Sequence, residues 1–406
     1  MSELFEIVAG RLIKYVGRES NVTIPSNVEC IASRAFAEND FLERIVFSQF
    51  IRVIEPGAFI NCVNLKEIVF NEQLEIICEK AFYNCNIQGA LMLPSKVSFV
   101  GSEAFFNSRY ISSVLIGPNV SEIGECAFDK CFSLQSIDVS MLNKHYSSQD
   151  GVMFDITHKT LIWYPAGKNE IKYNVPRGVV KIAPFAFEYN AHIKSIDMPE
   201  SVTILGKYAF CNCINLCDFR ISRYITEIGE ACFYNCASIK EFNISMNNPY
   251  YSVIGGVLYT IDGKTLVAFP AGSECEHYCV SEFVKKIEPH AFKYCVNLKS
   301  VIIGQNVDKL GYEAFKHCYG LESVVLGANI EELERGMFWR CNKLKWIFMS
   351  ASIKKIGESA FEETKCLNDI FYEGSIEEWS RIQIDGDHCN IDCVNIHFDQ
   401  DKKETK

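Results

Sequence analysis

The sequence predicts an α/β, β-rich solenoid built from twelve stacked 23-residue repeats with two inserted β-hairpins. Three observations carry that expectation: an aromatic column of fixed period, aliphatic columns around it, and two insertions that match each other. Phenylalanine recurs every 23 residues at Phe36, Phe59, Phe82, Phe105 and Phe128, again at Phe187, Phe210 and Phe233, and again at Phe292, Phe315, Phe338 and Phe361. Eight residues before each Phe, and again five before it, every unit has an aliphatic residue, as in Val28 and Ile31 or Val307 and Leu310. Nine and eleven residues after it, pairs such as Ile45/Phe47, Ile137/Val139 and Val301/Ile303 alternate with variable positions. That alternation is a strand with one buried face.

One such unit cannot bury its apolar face alone, so the units stack strand beside strand. This covers residues 23–140 (repeats 1–5), 178–245 (repeats 6–8) and 283–373 (repeats 9–12). Between them, 141–177 and 246–282 interrupt the period and match at a constant offset of 105: Gly151/Gly256, Thr160/Thr265, Leu161/Leu266, Pro165/Pro270. In each, two apolar runs flank a polar turn, Thr157-His158 or Asp262-Gly263, which reads as a β-hairpin. A block of three repeats plus its hairpin has been duplicated.

Charge and composition exclude several functions. Of 406 residues, 40 are Lys or Arg and 51 Asp or Glu, a net charge of −11, whereas a nucleic-acid binder needs a basic face. An anionic membrane surface is disfavoured on the same ground. The first twenty residues carry Glu3, Glu6, Arg11 and Lys14, without the apolar run of a secretory signal, and the longest uncharged window is broken by Pro249 and Gly255-Gly256. The expectation is a soluble, cytoplasmic chain without membrane insertion. The sequons at Asn21, Asn119 and Asn243 are taken as chance.

Nineteen cysteines are present, and eight of them (Cys62, Cys85, Cys131, Cys213, Cys236, Cys295, Cys318, Cys341) stand three residues after the repeat Phe. That column is expected to be buried, with reduced thiols packing as small apolar groups. Three clusters fall outside it and invite a zinc reading: Cys211/Cys213/Cys217, Cys275/His277/Cys279 and His388/Cys389/Cys393/His397. In the last, CVNIHF alternates like a strand and would send Cys393 and Asn395 to the face opposite Val394, Ile396 and Phe398. No Gly-rich phosphate loop, H-E-x-x-H pair or nucleophile elbow occurs, and the eight histidines are scattered. No catalytic residue, metal or cofactor is therefore expected, and the protein is read as a non-enzyme.

The repeat V-x-x-I-G-x-x-A-F-x-x-C-x-x-L-x-x-I-x-[VI], seen in VSEIGECAFDKCFSLQSIDV, resembles the BspA-like leucine-rich-repeat family. The inserted hairpins are similar to a segment found in that family, here Asn143, Tyr146, Gly151, Val152, Lys159, Thr160, Leu161, Pro165, Ala166 and Gly167. Residues 1–22 resemble its N-terminal capping hairpin, and 374–398, with Gly374, Glu378, Trp379 and Ile382, its C-terminal cap. The charged tail 399–406 is expected to be disordered. The resemblance implies a leucine-rich-repeat solenoid, a right-handed horseshoe whose concave sheet binds partners, often at a cell surface.

On that sheet the residues eight and ten after each Phe point away from the core. The tenth-position column is apolar at both ends and polar in its middle. Two candidate partner-binding groups follow: a polar one of Asp138, Asp197, Asp218, Arg220, Glu241 and Asn243, and an aromatic one of Trp346, Phe348 and Phe371. The module around Trp379 could instead fold over the aromatic group. The function expected is a non-catalytic scaffold for protein partners, acting as a monomer. The alternatives are a surface adhesin exported without a recognisable signal and a metal-dependent enzyme.

Overall fold

A computed structural model of the chain describes residues 4–386 and 390–398; His388, Cys389 and the tail 399–406 lie outside the described residues. Two compact units are present, Met1–Ile171 with Gly178–His192, and Lys172–Arg177 with Ile193–Lys406. Each is a β-solenoid.

In the first unit the chain enters through an antiparallel hairpin, Phe5–Val8 with Arg11–Tyr15, turned by Ala9 (φ 48°) and Gly10 (φ 75°). Arg11–Tyr15 then pairs in parallel with Cys30–Ile31, followed by Val53–Ile54, Ile76–Ile77, Phe99–Val100 and Glu122–Ile123. These two-residue strands hold the aliphatic column five before each Phe. Each repeat thus contributes two strands where the alternation predicts one. The predicted strands stack in register, Val22, Ile45 and Ile68 on successive rungs and Leu91, Val114 and Ile137 on others.

The segment carrying the Phe is not a helix. In every repeat the residues two before and two after the Phe adopt left-handed backbone, as at Arg34 (φ 60°) and Glu38 (φ 62°) around Phe36. Left-handed residues interrupt any right-handed helix, so the chain makes two successive tight turns, closed by Ala37 N–H to Arg34 C=O (3.1 Å) and Asn39 N–H to Phe36 C=O (3.2 Å). Helix is confined, among the described residues, to Ile376–Trp379 and a 3₁₀ turn at Asn390–Cys393. The solenoid is β-structure throughout.

These turns bond from rung to rung. Phe36, Phe59, Phe82 and Phe105 each donate N–H to the Ala carbonyl one repeat later at 2.8 Å. Their rings stack face to face at 4.7 to 5.4 Å through Phe128. A fully buried Phe contributes about 1.5–3 kcal/mol. The eight column cysteines are buried, and the thiols of Cys62, Cys85, Cys131, Cys236, Cys318 and Cys341 donate to the preceding repeat's Phe carbonyl, Cys62 to Phe36 at 3.0 Å and Cys85 to Phe59 at 3.1 Å. All eighteen described cysteines are free thiols.

The second unit repeats this arrangement. Its longer strands include Lys172–Asn174, Ser195–Asp197, Asp218–Ile221 and Asn243–Ile244, and then His277–Cys279, Ser300–Ile302, Ser323–Val325, Trp346–Met349, Asp369–Tyr372 and Asn395–Phe398. Phe292, Phe315, Phe338 and Phe361 stack at 4.8 to 5.5 Å. Helix Ile376–Trp379 starts in a capping box, Ser375 Oγ accepting from Glu378 N–H (3.2 Å) and Glu378 Oε2 from Ser375 N–H (2.8 Å).

Each insertion has one strand more than the hairpin read from sequence: Tyr146–Gln149, Val152–Asp155 and Thr160–Trp163 form an antiparallel meander, as do Tyr251–Ile254, Val257–Thr260 and Thr265–Ala268. The last strand of each pairs in parallel with the next repeat, Leu161 opposite Ile182 and Leu266 opposite Ile287. Tyr164 then stacks on Phe187 at 4.8 Å and Phe269 on Phe292 at 5.0 Å, each aromatic standing 23 residues before its partner. The insertions therefore carry the aromatic column onward.

Candidate functional site

The longer strands present one face inward, where Ile196, Phe219, Val301, Ile347 and Ile370 are buried, and the other to solvent. Of the candidate polar residues, Asp138 lies in the first unit and Asp197, Asp218, Arg220, Glu241 and Asn243 in the second; all six are exposed. Within the second unit, Asp218 lies beside Ser195 and Asn243 beside Arg220 on adjacent rungs. Lys172 belongs to the same face: its Nζ lies 2.6 Å from Asp197 Oδ2, and this carboxylate raises the Lys172 pKa. Sequence reading missed Lys172 because it assigned 141–177 to the inserted hairpin, although this strand stands 23 residues before Ser195–Asp197 and pairs with it in register. In the first unit Asp138 accepts from Ser136 Oγ at 2.9 Å.

The aromatic group sits on the last rungs of the second unit. Trp346 is beside Asp369, and Phe348 is followed by Phe371 and His397 across three strands. Phe371 meets Trp346 edge-on at 6.1 Å and stacks on His397 at 4.7 Å, while His397 Nε2 lies 2.8 Å from Asp369 Oδ1 and holds that carboxyl below the ordinary range. Trp346 is 37% and Phe371 38% exposed, with Phe348 half-buried. Trp379 packs against Tyr372, a buried residue of the opposite face, at 5.2 Å. The C-terminal segment thus closes the core and adds a strand beside Phe371, leaving the aromatic face open.

The sequence-read metal clusters do not converge among the described residues. Cys211 and Cys213 are buried while Cys217 is exposed and donates to the Lys194 carbonyl; His277 Nδ1 is 2.7 Å from Ser300 Oγ; and His397 is engaged by Asp369. Cys126, Asp129 and Glu188 do bring their donor atoms within 4.8 Å of one another. Burial raises the Asp129 pKa, and its carboxyl is hydrogen-bonded to Glu188 and Cys126, whose thiol is pushed up by burial as well. A carboxyl–thiol group hydrogen-bonded in this way is satisfied within itself. No helix among the described residues is long and apolar enough to cross a membrane.

Comparison with known proteins places this architecture. A solved leucine-rich-repeat protein from Eubacterium ventriosum is similar over 88% of this chain and 89% of its own, at 22% identity and a TM-score of 0.57. A leucine rich cell surface protein from Faecalibacterium prausnitzii aligns over 93% of each chain at 23% identity and a TM-score of 0.49, and a leucine-rich-repeat protein from Bacteroides ovatus over 96% and 94% at 21% and 0.45. No curated protein sequence matches. The BspA type Leucine rich repeat region (6 copies) matches residues 16–92, 89–175, 166–253 and 268–392. Matched by that family model from residue 16 to 253 and from 268 to 392, the chain belongs to the BspA-type leucine-rich-repeat family.

Proposed function

We propose that the protein is a non-catalytic scaffold that binds protein partners through the outer face of its longer strands. The observation that supports this is the contrast between the two sides of one strand: buried aliphatic rungs fix the backbone, while Asp197, Asp218, Arg220, Glu241 and Asn243 project at strand spacing, about 4.8 Å apart from rung to rung. Side chains held on a bonded ladder lose little freedom on binding, so affinity comes from a preorganised surface. Trp346 and Phe371 supply the large, partly exposed aromatic area that often anchors an interface.

The test is affinity capture with the whole protein as bait, compared with an Asp197→Lys/Arg220→Glu variant and a Trp346→Ala/Phe371→Ala variant whose unfolding midpoints are first shown to match the parent. Partners held by the parent and released by either variant support the outer face. Partners retained equally by both overturn it.

A further inference from the structure

Each insertion interrupts the ladder of short strands. In the first unit the Ile123 N–H is met by the Tyr146 hydroxyl at 3.2 Å instead of a strand carbonyl, and in the second the Ile228 N–H is met by the Tyr251 hydroxyl at 2.9 Å, 105 residues on. A notch opens beside this break in both copies. Their contents differ. In the first, Trp163 and Phe185 fill the notch and leave about 170 Å³. In the second, Ala268 stands in place of Trp163 and His290 in place of Phe185, and the cavity reaches about 930 Å³, the size of a small-molecule site.

The walls of the second notch are ordered by a buried polar network. The His290 side chain is 3% exposed; its Nε2 is 3.1 Å from the Tyr208 hydroxyl, and its Nδ1 faces Lys293 Nζ at 3.4 Å. Burial, reinforced by the Lys293 charge, holds His290 neutral, its pKa lowered to about 4. Lys293 is paired with Glu313 at 2.7 Å and lies over the Tyr234 ring at 4.3 Å. Tyr312 donates to Glu230 Oε1 at 2.5 Å and fixes that carboxylate in the wall.

The charge balance of the lining selects the occupant. Glu288, Glu331 and Glu332 are each matched by a lysine, Lys286, Lys354 and Lys355. Among the described residues no lysine or arginine forms an ion pair with Glu230, Asp308 or Glu334, and against these three carboxylates Lys309 is the lining lysine without an acidic partner. Tyr251 and Tyr312 line the same notch, and aromatic rings beside a carboxylate suit a cation, as Lys293 over the Tyr234 ring already illustrates.

We propose that this notch binds a small organic cation, an ammonium or guanidinium group received by Glu230 among the tyrosines. The test is calorimetric titration of the whole protein with agmatine, putrescine and a Gly-Arg-Gly peptide, beside sodium phosphate as an anionic control. Saturable binding of a cationic probe is expected, weakened at least tenfold by Glu230→Gln and by Ala268→Trp, which restores the filling residue of the first copy, and unchanged by Trp163→Ala. The free amines binding above the peptide identifies a soluble ligand; the peptide binding above the amines identifies a basic side chain presented by a partner. Absence of saturable binding by all three cations, binding of phosphate instead, or cation binding insensitive to Glu230→Gln overturns the assignment. Glu230 is 33% exposed, so that variant decides the question even where Ala268→Trp disturbs folding.

Discussion

Replacing Glu313 with Gln tests whether the buried network is held by its central carboxylate. Glu313 is 9% exposed and is approached by Lys293 at 2.7 Å, Lys316 at 2.9 Å, His290 Nδ1 at 3.4 Å and Arg335 at 4.0 Å. Burial by itself would raise its pKa, but the bonds and charges of Lys293 and Lys316 outweigh that and bring it to about 2. Lys293 is 7% exposed, so the amide leaves an ammonium buried without its anion, a change that costs about 3–5 kcal/mol. Lys316, 12% exposed, keeps its place 3.6 Å from the Trp339 ring and adds little to that loss. Burial lowers the Lys293 pKa, and since deprotonating a lysine at pH 7 costs about 5 kcal/mol, loss of its proton caps the penalty at the upper end of that range. Lys293→Met alone leaves Glu313 paired with Lys316 and is expected to cost about 1–2 kcal/mol, and adding it to Glu313→Gln recovers most of the stability. Urea unfolding followed by tryptophan fluorescence gives each corner of the cycle, with an unchanged m-value required before the free energies are compared. A loss under about 1 kcal/mol for Glu313→Gln, or no recovery in the double variant, refutes the electrostatic account.

Phe82 is fully buried between Phe59 at 5.0 Å and Phe105 at 5.2 Å, so Phe82→Ala is expected to cost about 3–5 kcal/mol in chemical unfolding; a loss below about 1 kcal/mol would mean the stack contributes nothing. Thiol titration of the native protein should label Cys217, Cys279, Cys366 and Cys393, which are exposed, while the buried column cysteines react only on unfolding. Burial pushes the Cys318 thiol up to about 12, and rapid native labelling of the column would contradict its packing. Stability should fall as the pH drops from about 6.5 towards 4: His290 is held neutral down to about 4 in the folded state, the unfolded chain binds the proton first, and the penalty reaches about 3 kcal/mol. Glu313, with its lowered pKa, adds to the loss between about 4.5 and 2. His290→Phe should flatten the upper part of this profile, and an unaltered slope would remove His290 as its source.

The Phe column was legible because its signal is redundant: each Phe is flanked by aliphatic positions at fixed offsets, and one misread residue leaves the register intact. The cysteine ladder was legible for the same reason. The short strands were not, since two residues such as Val53–Ile54 are too brief to show alternation. Nor was the first strand of each meander, where Tyr146–Gln149 presents Ser147 and Ser148, whose hydroxyls bond to Asp155 C=O and Val139 N–H instead of packing. The left-handed position two before each Phe had no residue signature, being filled by Arg, Lys, Glu, Tyr, His and Ser as readily as by Gly57 and Gly336, whereas the one two after it carries Asn61, Asn84, Asn107, Asn212 and Asn235, a residue that tolerates this backbone. On the outer face, alternation told which side chains point outward, but the Lys172 that pairs with Asp197 lies on a strand read as part of the insertion, and the His397 that meets Phe371 and Asp369 lies on a strand off the period. The second notch did have a signal: the constant offset of 105 places Ala268 against Trp163 and His290 against Phe185, a loss of two large fillers visible in the aligned copies.

The tyrosine that meets a bare strand amide in each insertion also bears on how such a chain changes length. Tyr146 closes the strand behind it, while Thr160–Trp163 opens a new ladder ahead, and Tyr251 with Thr265–Ala268 does the same. A block bounded in this way brings its own terminator and its own template. Gain or loss of a whole block in the gene would then leave no unbonded β-edge at the seam, so recombination can act on intact 105-residue modules without passing through an aggregation-prone intermediate.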